Sequence, residues 1–170
     1  EYPVVSVDIM GTQALREAAN SGEFCSQVNE LLGWQIDIIS GEKEAYLSYL
    51  GAVSAMPELK NGVILDIGGG STEIITKAED RIYGASAPVG CLRLMEKPLP
   101  DEEIRQELKK YWRNVRLAPD SVLVGVGGTA TTLGAIFLKM EKYDADALLQ
   151  CIMKRSDVRT ILDELEAMSM

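Results

Sequence analysis

Apolar and polar positions alternate or recur at helical spacing along most of this chain, and together they predict an α/β fold. Val4, Val5 and Val7 within Tyr2 to Ile9 predict an opening strand. Thr12 to Ala19 predicts a short helix started by Thr12, and Asn20-Ser21-Gly22 breaks it. Glu23 to Leu32 predicts a second helix, with Phe24, Val28, Leu31 and Leu32 on one face and Gly33 as its stop. Gln35 to Ile39 predicts a strand. Ser40-Gly41 then leads into a helix from about Glu42 to Met56, with a stripe of Tyr46, Tyr49, Leu50 and Val53.

Residues 63 to 88 predict a three-stranded antiparallel meander, its first turn built from Gly68, Gly69 and Gly70. Val89 to Leu94 turns into a short helical piece. Asp101 to about Val115 predicts a helix with Ile104, Leu108, Tyr111 and Val115 on one stripe. Ser121 to Val126 predicts a buried strand that runs through Gly127-Gly128 into an apolar helix containing Leu133, Ile136, Phe137 and Met140. Ser156 to Met170 predicts a closing amphipathic helix. No internal repeat or low-complexity tract is visible.

The chemistry concentrates in Asp66-Ile67-Gly68-Gly69-Gly70-Ser71-Thr72-Glu73. Glycines without Cβ atoms let a turn adopt positive φ and let backbone N–H groups converge on an anion, and Ser71 and Thr72 add hydroxyl donors. Asp66, at a strand exit, is placed to hold a hard cation that bridges phosphate oxygens, with Glu73 as a second acid. A plain hairpin explains the glycines alone, but it leaves an acid at a buried strand end without purpose. The acids therefore favour a phosphate-chain site with Mg²⁺. Gly127-Gly128-Thr129 offers a second phosphate-class turn at a helix start, although such a pair also suits close strand–helix packing. Locally, Arg16 also reads as a solvated helix charge, and Glu44 as an acid complementing a helix dipole.

Bulk properties narrow the chemistry further. The chain has 170 residues, 46% apolar and 25% charged, enough for a sizeable core, and no apolar run approaches the length of a membrane span. A net charge of −9 argues against general nucleic-acid binding. The absence of histidine removes His-based triads, Cys-His dyads and His-ligated zinc within this chain. Cys25, Cys91 and Cys151 lie far apart and predict free thiols in a reducing cytoplasm. The start at Glu1-Tyr2-Pro3, without initiator Met or secretory core, reads as a fragment boundary.

Several motifs in one order carry a resemblance. Thr12 to Ala18 with Asn20, Ile38 to Ala45, Asp66 to Glu73, Val89 to Leu94 and Gly127 to Thr132 together resemble the exopolyphosphatase and guanosine pentaphosphate phosphohydrolase (Ppx/GppA) family. That family belongs to the wider group of actin, hexokinase and the heat-shock chaperones. The resemblance implies ribonuclease-H-like domains flanking a cleft. Residues 1–45 would be the C-terminal part of the first and residues 46–170 the second. It implies catalytic roles for Glu44, which would activate water, and for Arg16 and Arg93 near the phosphates. Gly68, Gly69, Gly70, Ser71, Thr72, Gly127, Gly128 and Thr129 would bind phosphate, and Asp66 and Glu73 the Mg²⁺. The implied substrate is polyphosphate or guanosine pentaphosphate (pppGpp). A soluble cytoplasmic homodimer is expected as well, because an incomplete first domain would expose a sheet edge and apolar surface that invite association.

Two alternatives stay open: a nucleotide-binding kinase or ATPase of the same superfamily, and a non-catalytic sensor of a phosphorylated ligand. Three departures bear on them. The family's opening Asp-x-Gly-Ser-Asn type loop has no counterpart here, so the chain is expected to hold only part of the active site. Lys43 stands where the family commonly has another acid, and Leu149-Gln150 follow Tyr143-Asp144 where a His-Gly pair is usual.

Overall fold

The strands flanking the glycine triplet form the centre of the molecule. The computed structural model describes residues 3–59, 61–78 and 81–168. In chain order its elements are β1 (Ile9–Gly11), α1 (Gln13–Glu17), α2 (Ser21–Leu32), β2 (Ile36–Ile38) and α3 (Gly41–Ala55). Next come β3 (Gly62–Ile67), β4 (Thr72–Ala78), β5 (Arg81–Ala87), α4 (Cys91–Glu96) and α5 (Asp101–Trp112). The last are β6 (Val122–Val126), α6 (Gly127–Phe137), α7 (Ala145–Leu149) and α8 (Arg155–Met168). β1 and β2 make a two-stranded parallel sheet, and the other strands make a mixed sheet in the order β5-β4-β3-β6. The meander is antiparallel, and β6 joins β3 in parallel. The expected α/β class with its antiparallel meander is what forms.

β-sheet alternation decides which residues share a face. Ile64 pairs with Ile75, and Ile75 with Gly84, so these three lie on one face of the sheet. Helix α3 covers that face: Ala45 and Ala52 form a buried cluster with Ile64 and Ile75. Ile64 and Ile75 are each fully buried, worth about 1.5–3 kcal/mol apiece. The contact is close because it is made by small residues. A Cβ added to Gly84 would lie 2.7 Å from the Ala45 Cβ. On the helix, the expected aromatic stripe is therefore rotated away from the core. Tyr49 still packs against the cluster, but Tyr46 stays 49% and Leu50 41% exposed. Position 45, the expected domain boundary, falls inside α3, which packs on the four-stranded sheet.

Other expectations shift for local reasons. The opening strand expected over Tyr2 to Ile9 forms only at Ile9–Gly11, because β2 supplies pairing for just those residues. Val5 remains 99% exposed, and Tyr2 lies outside the described residues. β6 was expected to be buried; it lies at the end of the sheet order, and Leu123 is 62% exposed. Gly33 does stop α2, in the left-handed conformation with φ 69°. α7 was not anticipated; Asp144 caps it by accepting from the Ala147 N–H at 3.0 Å.

The close approach of α3 to β5 makes Gly84 a sensitive position. Gly84→Ala is expected to lower stability by about 1–3 kcal/mol, because the methyl group meets a helix methyl that cannot rotate away. Gly51→Ala, at an exposed helical site with nothing within 4 Å, is expected to raise it by about 0.5–1 kcal/mol. Urea midpoints of the two variants check both signs.

Candidate active site

The face that carries Ile64, Ile75 and Gly84 has polar residues two positions away along each strand, toward the glycine loop. These are Asp66, Glu73 and Ser86, which pair across β3, β4 and β5 in register. Ser86 Oγ donates to Glu73 Oε1 at 2.6 Å. The first turn of α3 brings Glu44 to the same end. Ser40 caps that turn, its side chain accepting from the Lys43 N–H at 3.2 Å. Arg16, on α1, donates from Nη1 to Glu44 Oε2 and to the Ile39 carbonyl, each at 2.8 Å. Glu44 thus has one oxygen engaged and the other without a partner among the described residues.

Asp66 has no side-chain hydrogen bond or ion pair among the described residues. Burial first, and then the Glu44 carboxylate, push its pKa above the ordinary value. A half-buried carboxylate facing a second one is an unsatisfied charge that a cation would relieve. Asp66 also fixes the second glycine turn. Gly127 takes φ 79°, and a Cβ there would sit 2.7 Å from Asp66 Oδ1, so both its backbone conformation and its neighbour require glycine.

The glycine triplet is used differently from the expectation. None of Gly68, Gly69 and Gly70 has positive φ; what they supply is room. A Cβ on Gly69 would meet Leu92 Cδ1 at 2.8 Å, and one on Gly70 would meet Gln13 Oε1 at 2.4 Å. Helix α4 clamps the loop: Cys91 N donates to the Gly68 carbonyl, and Leu92 N and Arg93 N to the Gly69 carbonyl, at 2.9–3.0 Å. Arg93 Nε adds a bond to the Gly70 carbonyl at 2.9 Å. With the carbonyls turned toward α4, the N–H groups of Gly69, Gly70 and Ser71 have no acceptor among the described residues. The Thr72 and Thr129 hydroxyls are spent on backbone carbonyls. Thr72 Oγ1 donates to the Val89 carbonyl, and Thr129 Oγ1 to the Ile67 carbonyl at 2.9 Å. Ser71 is buried. The two glycine turns face each other across an open groove of about 470 Å³, with Gly68 and Gly69 on one side and Gly128 and Thr129 on the other.

Glu44, Arg16, Asp66, Glu73 and both glycine turns therefore converge on one end of the sheet, with Arg93 at the loop's flank. A sequence model of the Ppx/GppA phosphatase family matches residues 1–169. The chain belongs to that family.

Exopolyphosphatase 2 of Mycobacterium tuberculosis is 30% identical over 181 residues, covering 96% of this chain and 57% of that protein. Guanosine-5'-triphosphate,3'-diphosphate pyrophosphatase of Vibrio cholerae is 32% identical over 184 residues, covering 98% of this chain and 36% of the relative. The solved Ppx/GppA enzyme of Aquifex aeolicus superposes with a TM-score of 0.68 at 30% identity, over 85% of this chain and 51% of that one. The chain thus spans roughly a third to just over half the length of these Ppx/GppA relatives.

Some site neighbours carried no sequence signal of their own. Glu17 and Gln13 touch the loop region, and only their four-residue spacing on α1 hinted at a shared face. Ser86 became visible through strand register alone. Among the described residues no cluster of three or more His, Cys, Asp or Glu forms a metal cage.

Asp66 gives a pH-dependent prediction. Between its ordinary and its raised pKa the native state holds more protons there than the unfolded chain, so stability falls as pH rises through that window. Asp66→Asn, which cannot ionise, is expected to melt above the wild type at neutral pH without added metal. The gap should close as pH drops below about 3.9, the ordinary Asp value. Melting temperatures of both proteins from pH 3 to 7, on the order of one reading per half pH unit, test this.

Proposed function

We propose that the full-length protein carrying this chain hydrolyses terminal phosphoanhydride bonds of polyphosphate or pppGpp, with this chain supplying part of the active site. The observation that carries the reading is the Arg16–Glu44 pair, set at the start of α3 near Asp66. In-line attack on a terminal phosphorus needs an oriented water, a base and positive charge on the equatorial oxygens.

Glu44 is the base. Arg16 holds one carboxylate oxygen, and the other accepts the proton of the attacking water. The N–H groups of Gly69, Gly70 and Ser71 bind the phosphate oxygens, with the helix start at Gly127, Gly128 and Thr129 across the groove. Arg16 and Arg93 add positive charge as it is needed in the transition state. Asp66, with Glu73, would hold Mg²⁺, which supplies neutralisation of the phosphate charge when bound. Residues 1–45 form the side of the cleft that brings in Arg16. The names of the relatives support both substrates.

A second reading has one specific observation behind it. The 470 Å³ groove has apolar walls from Ile67, Leu133 and Ile136 beside the two glycine turns, a size and lining that suit a nucleoside. Under that reading the protein is a nucleotide-dependent kinase or ATPase.

Phosphate release from long-chain polyphosphate, pppGpp and ATP by the full-length protein, with Mg²⁺ or with EDTA, separates the readings. The expected result is metal-dependent release from one of the first two, reduced at least about 10²-fold in Glu44→Gln with its melting temperature retained. Turnover of ATP alone favours the second reading. Undiminished turnover in Glu44→Gln removes Glu44 from the chemistry.

A further inference from the structure

The Arg93 guanidinium is held along one edge only. Nε donates to the Gly70 carbonyl at 2.9 Å, and Nη2 to Glu17 Oε2 at 3.1 Å. Nη1 makes no bond among the described residues. Glu17 is itself held, accepting at Oε1 from Gln13 Nε2 at 3.0 Å. The Gln13 amide in turn lies over Gly70, in the space a Cβ there would take. Gln13, Glu17, Arg93 and Gly70 close a ring that ties α1 to the glycine loop and to α4. The same five-residue α1 holds Arg16 on Glu44.

We propose that Glu17 is a positioning residue for Arg93. It occupies the Nε–Nη2 edge jointly with the Gly70 carbonyl, and so presents the Nη1 side of the guanidinium to a phosphate bound at the loop.

The energetics agree with orientation rather than stability. The Arg93 and Glu17 side chains are 43% and 59% exposed, so solvent screens their attraction and the pair adds little to folding. What it removes is rotamer freedom of a long side chain that would otherwise be lost when ligand binds. The Gln13 amide chiefly, and then Arg93, hold the Glu17 carboxylate below its usual pKa, so it is ionised at neutral pH. A glutamine at position 17 keeps an acceptor of the same reach without the charge, whereas alanine keeps neither.

This inference rests on the reading of the glycine loop as a phosphate site, and the test is arranged to separate the two. In the full-length protein, tripolyphosphate affinity is measured by calorimetry at fixed ionic strength for the wild type, Glu17→Gln, Glu17→Ala, Arg93→Gln and the Glu17→Ala/Arg93→Gln double variant. Glu17→Ala is expected to weaken binding about five-fold, with Glu17→Gln between it and the wild type. In the Arg93→Gln background the alanine substitution should add nothing. In parallel, the Arg93 Nε–H resonance should be ordered in wild-type protein without ligand and motionally averaged in Glu17→Ala.

An unchanged Arg93 resonance in Glu17→Ala overturns the proposal whatever reaction the protein catalyses. So does tighter binding on loss of Glu17, or an equal loss with and without Arg93. If wild-type protein binds no tripolyphosphate, the phosphate role of Arg93 falls, and the proposal with it. Coupled binding without any phosphate release would leave Glu17 in place and remove the hydrolase reading instead.

Discussion

The close seat of α3 on the four-stranded sheet is the constraint on which the rest depends. Two alanines on the helix and a glycine on β5 let the backbones approach until a single added methyl would collide. A helix held at that distance has little freedom to slide or roll, since packed interiors resist small displacements. Glu44 is the residue immediately before Ala45 in that contact. Its distance from Asp66 is therefore set by apolar packing deep in the fold, and the carboxylate inherits the rigidity of the core.

A second set of tight contacts fixes the loops around that carboxylate. Gly90 lets α4 begin against the glycine loop, since a Cβ there would fall 2.4 Å from the Gly69 carbonyl oxygen. Thr129 reaches from α6 to the end of β3, joining the second glycine turn to the first. Arg16 spans the exit of β2 and the start of α3. Each link joins segments distant in sequence, and each ends near the same strand termini. The polar end of the sheet is cross-braced by side chain to backbone bonds, while its apolar half is held by packing.

Much of this was legible from sequence, because it depends on short-range patterns. The meander around Gly68-Gly69-Gly70, the Gly33 stop and the helix after Ser40 follow from turn chemistry, capping and periodicity. The convergence of Arg16, Glu44 and Asp66 was legible only through motif order, since nothing local distinguishes Arg16 from a surface charge. What stayed hidden depends on who lies opposite. Val4, Val5 and Val7 alternate well but have no strand to pair with among the described residues. The larger side chains of α3 suggested the wrong buried face, because Gly84 selects small residues. The glycine triplet was read for backbone conformation, yet none of it has positive φ, and the Leu92 and Gln13 side chains fill the space that side chains on Gly69 and Gly70 would take. Hydroxyls expected at a ligand instead donate to backbone carbonyls, a choice that composition cannot reveal.

The inward donation by Thr72 and Thr129 has an evolutionary consequence. The donors it leaves without a partner among the described residues include the peptide N–H groups of Gly69, Gly70 and Ser71, which no codon change can swap for another chemistry. Substitution can disrupt such a surface, through the glycines that make room for it, but cannot retune it gradually. Side-chain substitution can instead reshape the groove through the apolar walls beside the two glycine turns, at Ile67, Leu133 and Ile136.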